Sequence, residues 1–252
     1  ISSSGTGLLV VSSNTFTGRI NGDNSLGMVS NSAFTLGAPQ GYTGLTVRSG
    51  NTLNLQDDAT ILNTSGIELN SGALSLNNNS SLQTQINNRI SDTAPITLRS
   101  GAITLNGRLK AAATETLGAV TAAMGANAFT MTPNGGTGNV YQSAELTIAS
   151  LARSAGATVN FSGTNMGQVG NNGRLYITQD PTLAAPGLLG AWAIANTTDY
   201  AAYNSSSGVG VVGQGGFVGC SQAFGSGNIT NLMTTGASYL TVAGTNTLAA
   251  GT

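Results

Sequence analysis

"LNSGALSL", residues 69–76, returns almost unchanged as "LRSGAITL", residues 98–105. Laid over each other without a gap, Leu69, Leu74 and Leu76 fall on Leu98, Ile103 and Leu105, and Ser71-Gly72 falls on Ser100-Gly101. A looser copy, "VRSGNTLNL" at 47–55, matches with one extra residue after its Ser-Gly. Gly50, Gly72 and Gly101 are 22 and 29 residues apart. Self-similarity at that period is the mark of a stacked repeat, in which each unit buries its apolar face only against its neighbours. Short alternating strands joined by turns make that stack a parallel β-helix. Equivalent residues then lie above one another at the inter-strand spacing of about 4.8 Å. Leu69 and Leu98 are expected in one inward ladder, and Leu76 and Leu105 in another. The residue after the first apolar position reads Arg48, Asn70, Arg99, an outward row in which a neutral Asn separates two like charges.

Working outward, short alternating or apolar runs dominate, among them "GLLVVSS" (7–13), "AITLNG" (102–107), "ELTIASL" (145–151), "ATVNFSG" (157–163), "RLYIT" (174–178) and "YLTVAG" (239–244). Gly, Asn, Ser and Asp punctuate them. One stretch competes, "LKAAATETLGAVTAAMGANAF" at 109–129. Its alanines favour helix, but Gly118 and Gly125 interrupt it, Thr recurs and no four-residue charge pairing supports it.

Composition agrees with repetitive β structure. Charged residues are 7 %, against about 25 % in an average soluble protein, and there is no His. Hydrophobic residues stand at 40 %, so the low charge does not signal disorder. The net charge of −1 gives no basic patch for nucleic acid. Residues 200–252 carry no charge at all and are expected to form a less regular part of one continuous stack spanning 1–252. The most apolar long run, Leu183 to Ala195, contains Pro186 and is too short to span a bilayer as a helix. The chain begins at Ile1, as a processed product or part of something longer would. The single Cys220 cannot pair internally and fixes no compartment.

Several stretches resemble the autotransporter-associated β-strand repeat proteins, large secreted or surface-exposed bacterial proteins. "GTGLLVVSSNTFTG" (5–18) is similar to that family's repeat, and "LNSGALSL" and "LRSGAITLNG" resemble its Ser-Gly-x-Leu-x-Leu rungs. "TETLGAVTAAMGANAFTMTP" (114–133) resembles a rung in which the Ala-rich stretch is strand. "GATVNFSGTNMG" (156–167) and "GLLGAWAIANTTDYAAYNSSSGV" (187–209) look like its later segments. The resemblance implies a β-helical passenger outside the cell and transfers no catalytic signature.

No stretch reads as a reaction centre. "GVGVVG" (208–213) matches G-x-G-x-x-G but has no acid after it, so no cofactor is expected. "GGTGN" (135–139) has Asn139 where a calcium-binding turn needs Asp. Asp57 and Asp58 sit in "LQDDATI", a turn, and neighbours on a strand face opposite ways. Neither Cys220 nor any Ser has a His base. Trp192, Tyr200 and Tyr203 form the densest aromatic group, expected either to cap the stack or to grip a sugar.

These readings converge on an all-β protein, a single-stranded parallel β-helix of about ten coils at about 25 residues each. Neither terminus looks capped by charge, Pro or an amphipathic helix. "SYLTVAGTNTLAAGT" at the C-terminal end and "GTGLLVVSSNTF" at the other each read as one more rung. Open ends invite pairing with the same chain head to tail, or with flanking coils of a longer one. The expected role is structural and non-enzymatic, in an extracellular or cell-surface fibre, sheath or matrix. The alternative is an adhesin holding a surface polysaccharide along its lateral face or at Trp192.

Overall fold

The computed structural model describes residues 8–212, apart from 12–13, 24, 31, 81, 83, 135–141, 169, 171 and 185–186. In chain order the strands are β1 (Leu8–Val11), β2 (Asn14–Phe16), β3 (Asn21–Gly22), β4 (Ser25–Ser30), β5 (Phe34–Leu36), β6 (Gly41–Tyr42) and β7 (Thr46–Gly50). Then come β8 (Thr52–Gln56), β9 (Ile67–Asn70), β10 (Ala73–Asn77), β11 (Ile96–Arg99), β12 (Ala102–Asn106), β13 (Ala113–Met124) and β14 (Ala126–Thr132). The last are β15 (Ala144–Arg153), β16 (Thr158–Gly163), β17 (Gly173–Ile177), β18 (Ala193–Ala195), β19 (Asp199–Asn204) and β20 (Gly208–Val211). Among the described residues there is no helix.

Two sheets hold nearly all of these strands. The first runs β1-β4-β7-β9-β11-β13-β15-β17, the second β2-β5-β8-β10-β12-β14-β16-β18-β19-β20, and β3 pairs with β6. Every pairing from β1 to β17 in the first sheet and from β2 to β18 in the second is parallel. The chain alternates between the sheets, and each visit lays a strand beside the previous one. A strand of one sheet therefore serves in the crossover that parallel pairing in the other requires.

The core lies between the sheets. Leu69 pairs with Leu98, and Leu76 with Leu105, all fully buried. In the second sheet an inward column runs Phe34, Leu53, Leu74, Ile103, Phe129, Phe161. Phe129 and Phe161 stack at 5.6 Å between ring centroids with 7° between their planes. The alanine-rich stretch competing for helix is β13 and β14. Its burial alternates along the chain, with Ala113, Leu117, Ala122, Phe129 and Met131 inward, and ladder pairing overrides alanine's helix propensity.

The Ser-Gly dipeptides mark the corner from the first sheet to the second. Ser71 and Ser100 have φ of 51° and 54°, the left-handed region. A Cβ on Gly72 would lie 2.7 Å from the Arg48 carbonyl oxygen, and one on Gly101 2.8 Å from Leu69 Cβ, so the rungs close up only with glycine there.

The first copy registers differently from its dipeptide match. Leu53 and Leu55 pair with Leu74 and Leu76 without a gap, which sets Gly50 at the left-handed corner position (φ 88°) and Arg48 beside Leu69. Five residues separate the inward positions flanking the corner in Arg48/Leu53, Leu69/Leu74 and Leu98/Ile103 alike. That constant span sets the register. The expected outward row of Arg48, Asn70 and Arg99 is accordingly Ser49, Asn70 and Arg99, while Arg48 points inward and is fully buried.

The other end of the ladder also departs from expectation. β18–β19 and β19–β20 pair antiparallel, so parallel stacking stops at β18 and the chain folds back. Gly208 (φ 79°) passes so close to β17 that a Cβ would meet the Leu175 carbonyl oxygen. Among the described residues this end is thus covered by its own chain, whereas the sequence showed no cap by charge, Pro or amphipathic helix. The stretch "SYLTVAGTNTLAAGT" lies outside the described residues.

Candidate functional site

Charge divides between the sheets. Arg48, Glu68, Arg99, Glu115, Glu145, Arg153 and Arg174 all stand on strands of the first. The eight parallel strands of the second, from β2 to β18, contain none.

Inside the molecule the first sheet buries a polar cluster. The segment between β10 and β11 brings Ile90 beside Ile61 in a parallel bridge, and Arg89 O accepts from Ile61 N at 2.7 Å. The next rung has no equivalent segment, since only six residues separate β12 from β13. Glu115 of β13 fills the gap. Its Oε1 accepts from Arg89 N (2.8 Å) and Ile90 N (3.0 Å), and its Oε2 from Arg89 N (3.0 Å). The Arg89 guanidinium donates to Ala59 O (2.8 Å), Asn77 O (3.1 Å) and Asn78 Oδ1 (2.9 Å from Nη2). Burial pushes the Glu115 carboxyl up to about 7, against those N–H bonds and the Arg89 charge. Burial brings Arg89 down to about 10, opposed by Glu115, Asp57 and Asp58.

A carboxylate and an arginine therefore do meet in the interior, through the Arg89 main-chain N–H, which no run of the sequence announces. Yet Arg89 and Glu115 are 0 % and 1 % exposed. The arrangement satisfies orphan N–H groups and locks a long connection. Neither charged group is open to a substrate. Asp57, at a turn with φ of 51°, accepts from Ser80 Oγ at 2.5 Å. A second buried chain of hydroxyls links Tyr42 Oη, Thr46 Oγ1 and Thr64 Oγ1 at 2.7 and 2.8 Å, and burial holds the Tyr42 phenol well above its ordinary range.

Sequence reading missed Arg48, Arg89 and Glu115. A signal existed for Glu115: in "ATETL" it sits at the inward beat between Ala113 and Leu117. Arg48 becomes legible once register is taken from Leu53 and Leu55. Arg89 lies off any strand, so alternation cannot place it.

The three aromatics singled out in the sequence do not form one platform. Tyr203 is buried in the main core, where its hydroxyl donates to Ile177 O (2.7 Å) and accepts from Ile177 N (3.2 Å), satisfying the outer edge of β17. Trp192 is half-buried against the same core, with the Arg153 guanidinium 5.5 Å from its ring. Tyr200 packs instead on a separate small cluster with Leu188 and Ala202. Of the motifs considered for cofactor and metal, "GVGV" is strand β20, and 135–139 and Cys220 lie outside the described residues. Among the described residues no three His, Cys, Asp or Glu side chains gather as a metal site.

Outside, the second sheet carries a row of hydroxyl and amide side chains, from Thr35 through Asn54, Ser75, Thr104 and Thr130 to Ser162, one per strand in continuous register. Beside it run Gln56, Asn77, Asn106 and Thr132. Comparisons with known protein families, with characterised proteins and with solved structures find no match to this chain.

Proposed function

We propose that the chain is a parallel β-helix serving a structural, non-catalytic role in an extracellular or cell-surface fibre, sheath or matrix, as its resemblance to autotransporter-associated repeats suggests. One observation carries the reading: parallel pairing continues without a break from β1 to β17 and from β2 to β18. A body held this way is a rod. Eight strands of the first sheet extend about 34 Å at the usual inter-strand spacing. Backbone hydrogen bonds run along the rod axis, the direction in which a fibre element under tension is pulled. Few Lys and Arg break the surface, which leaves few sites for trypsin.

The hairpin of β19 and β20 makes end-to-end stacking one-sided in this reading. β1, β2 and β3 are the edges of their sheets among the described residues, and the proposed neighbour there is a further coil, from a second copy or from flanking sequence. Trypsin digestion of the native chain, with electron microscopy of the same material, tests the role. Persistence of a single band for hours, and rods or filaments in the micrographs, is the expected result. Rapid cleavage to small peptides would sink both the rod and its structural use.

A further inference from the structure

We infer that the outer face of the second sheet is a binding surface for an extended, electrically neutral polysaccharide. The inference rests on the parallel β-helical reading above, because only continuous register makes the face one surface. Four properties of the face point to the ligand.

First, no strand from β2 to β18 bears a charge, although charged side chains occur on seven occasions in the strands of the first sheet. An ionic partner would lose its hydration here and gain no counter-charge, which disfavours nucleic acid, acidic glycans and charged protein surfaces. Second, the outward groups of the row are hydroxyls and amides, half-buried except for the buried Ser75, and each kind can both donate and accept. Some are already joined along the row, as Asn106 Nδ2 to Ser75 Oγ at 3.2 Å and Asn54 Nδ2 to Thr35 Oγ1 at 3.4 Å. Each amide keeps further donor and acceptor sites, and a partner able to use both kinds at every step is a polyol. Third, Ala73, Ala102 and Ala128 form a parallel row of small apolar side chains on the same face, against which the C–H faces of sugar rings can lie. Fourth, the row repeats once per strand over six strands and about 24 Å, so the matching ligand is a polymer and not a single small molecule.

A second copy of this chain would satisfy the same hydrogen bonds. Size argues against it. Six strands and about five residues of width give about 400 Å² on each partner, short of the roughly 800 Å² of a standard stable interface.

The test is native gel electrophoresis of the full chain through gels containing hydroxyethyl cellulose, dextran or alginate. Retardation by at least one of the two neutral polymers and none by alginate is expected. Thr104→Lys and Thr130→Lys each place an uncompensated charge in the row and should weaken retardation about tenfold or more. Thr97→Lys, at a matching outward position in β11 of the first sheet, should leave it intact, and unchanged circular dichroism shows that all three variants fold. Failure of both neutral polymers to retard the wild type overturns the inference, as does equal retardation by alginate or equal damage from Thr97→Lys. A dimer in sedimentation velocity that Thr104→Lys dissolves would assign the face to a second copy and overturn it too. Trypsin resistance of the same samples separates the two readings. Resistance without retardation removes only the polysaccharide, whereas loss of resistance removes the rod and this surface with it.

Discussion

The two sheets are built on one plan and finished differently. Both bury a leucine ladder, Leu69–Leu98 in the first and Leu76–Leu105 in the second. The second, from β2 to β18, carries no charge on either face, and Asn127 is a polar residue buried within it. The first puts charge on both faces: Glu68, Arg99, Glu145 and Arg174 outside, Arg48 and Glu115 within. The difference teaches that the ladder itself needs no charge. Where charge appears inside, it repairs an irregularity that the repeat does not cover. Arg48 ties the corner to Asn51 O (2.7 Å) and Ser32 O (2.6 Å), and Glu115 closes the rung above the long connection.

The largest expected effect sharpens that contrast. Glu115→Ala leaves Arg89 N and Ile90 N without their acceptor in the interior and removes one of the three carboxylates that favour the Arg89 charge. Such a loss costs about 3–5 kcal/mol, read as a drop in unfolding free energy in urea. A cost below about 1 kcal/mol would mean that the carboxylate is not what closes the rung. The same group gives the protein a pH dependence with a definite sign. Its folded value of about 7 lies above the ordinary 4.5, so the folded state holds the proton more tightly. Its contribution is fully present below pH 4.5, declines as the pH rises and is gone above 7. Unfolding free energy should therefore fall by about 2 kcal/mol between pH 5 and pH 8, and Glu115→Gln should remove that slope. A slope that survives the substitution belongs to some other group.

How much of this the sequence disclosed follows from what a two-residue period can carry. Alternation revealed the strands, their all-β character and the ladders at Leu69 and Leu76, because inward residues repeat at a fixed beat. It misplaced Arg48, because the eye matches the Ser-Gly dipeptide while the fold matches inward side chains across a corner of constant span. It could not show the fold-back of β19 and β20, which depends on Tyr203 reaching Ile177 and Gly208 passing Leu175, contacts with no local pattern. Nor could it show that the parallel strands of the second sheet, from β2 to β18, carry no charge, since the sheets interleave along the chain and their strands look alike until they are sorted.

A smaller effect tests the corner that joins the sheets. Ser71 occupies the left-handed position that Gly50 fills in the preceding rung. Ser71→Gly should raise stability by about 0.5–1 kcal/mol, the relief of left-handed strain less glycine's larger entropy when unfolded. Loss of stability would mean that the serine holds the corner by contacts other than its backbone angle.

The smallest effect bears on the outer face of the first sheet. Arg99 Nη1 lies 3.3 Å from Glu68 Oε2 and 3.2 Å from Asn70 Oδ1, and the two charged side chains are 39 % and 34 % exposed. Water and salt screen a pair so placed, so Arg99→Ala should cost about 0.5 kcal/mol or less and the cost should vanish in molar salt. That outcome leaves the outer charges as surface chemistry, present on the first sheet and absent from the parallel strands of the second. A loss of about 2 kcal/mol would place the pair among the forces that hold the rungs together. The neutrality of the parallel strands of the second sheet would then be a matter of how the sheets are stabilised, and the case for reading them as a recognition surface would lose its premise.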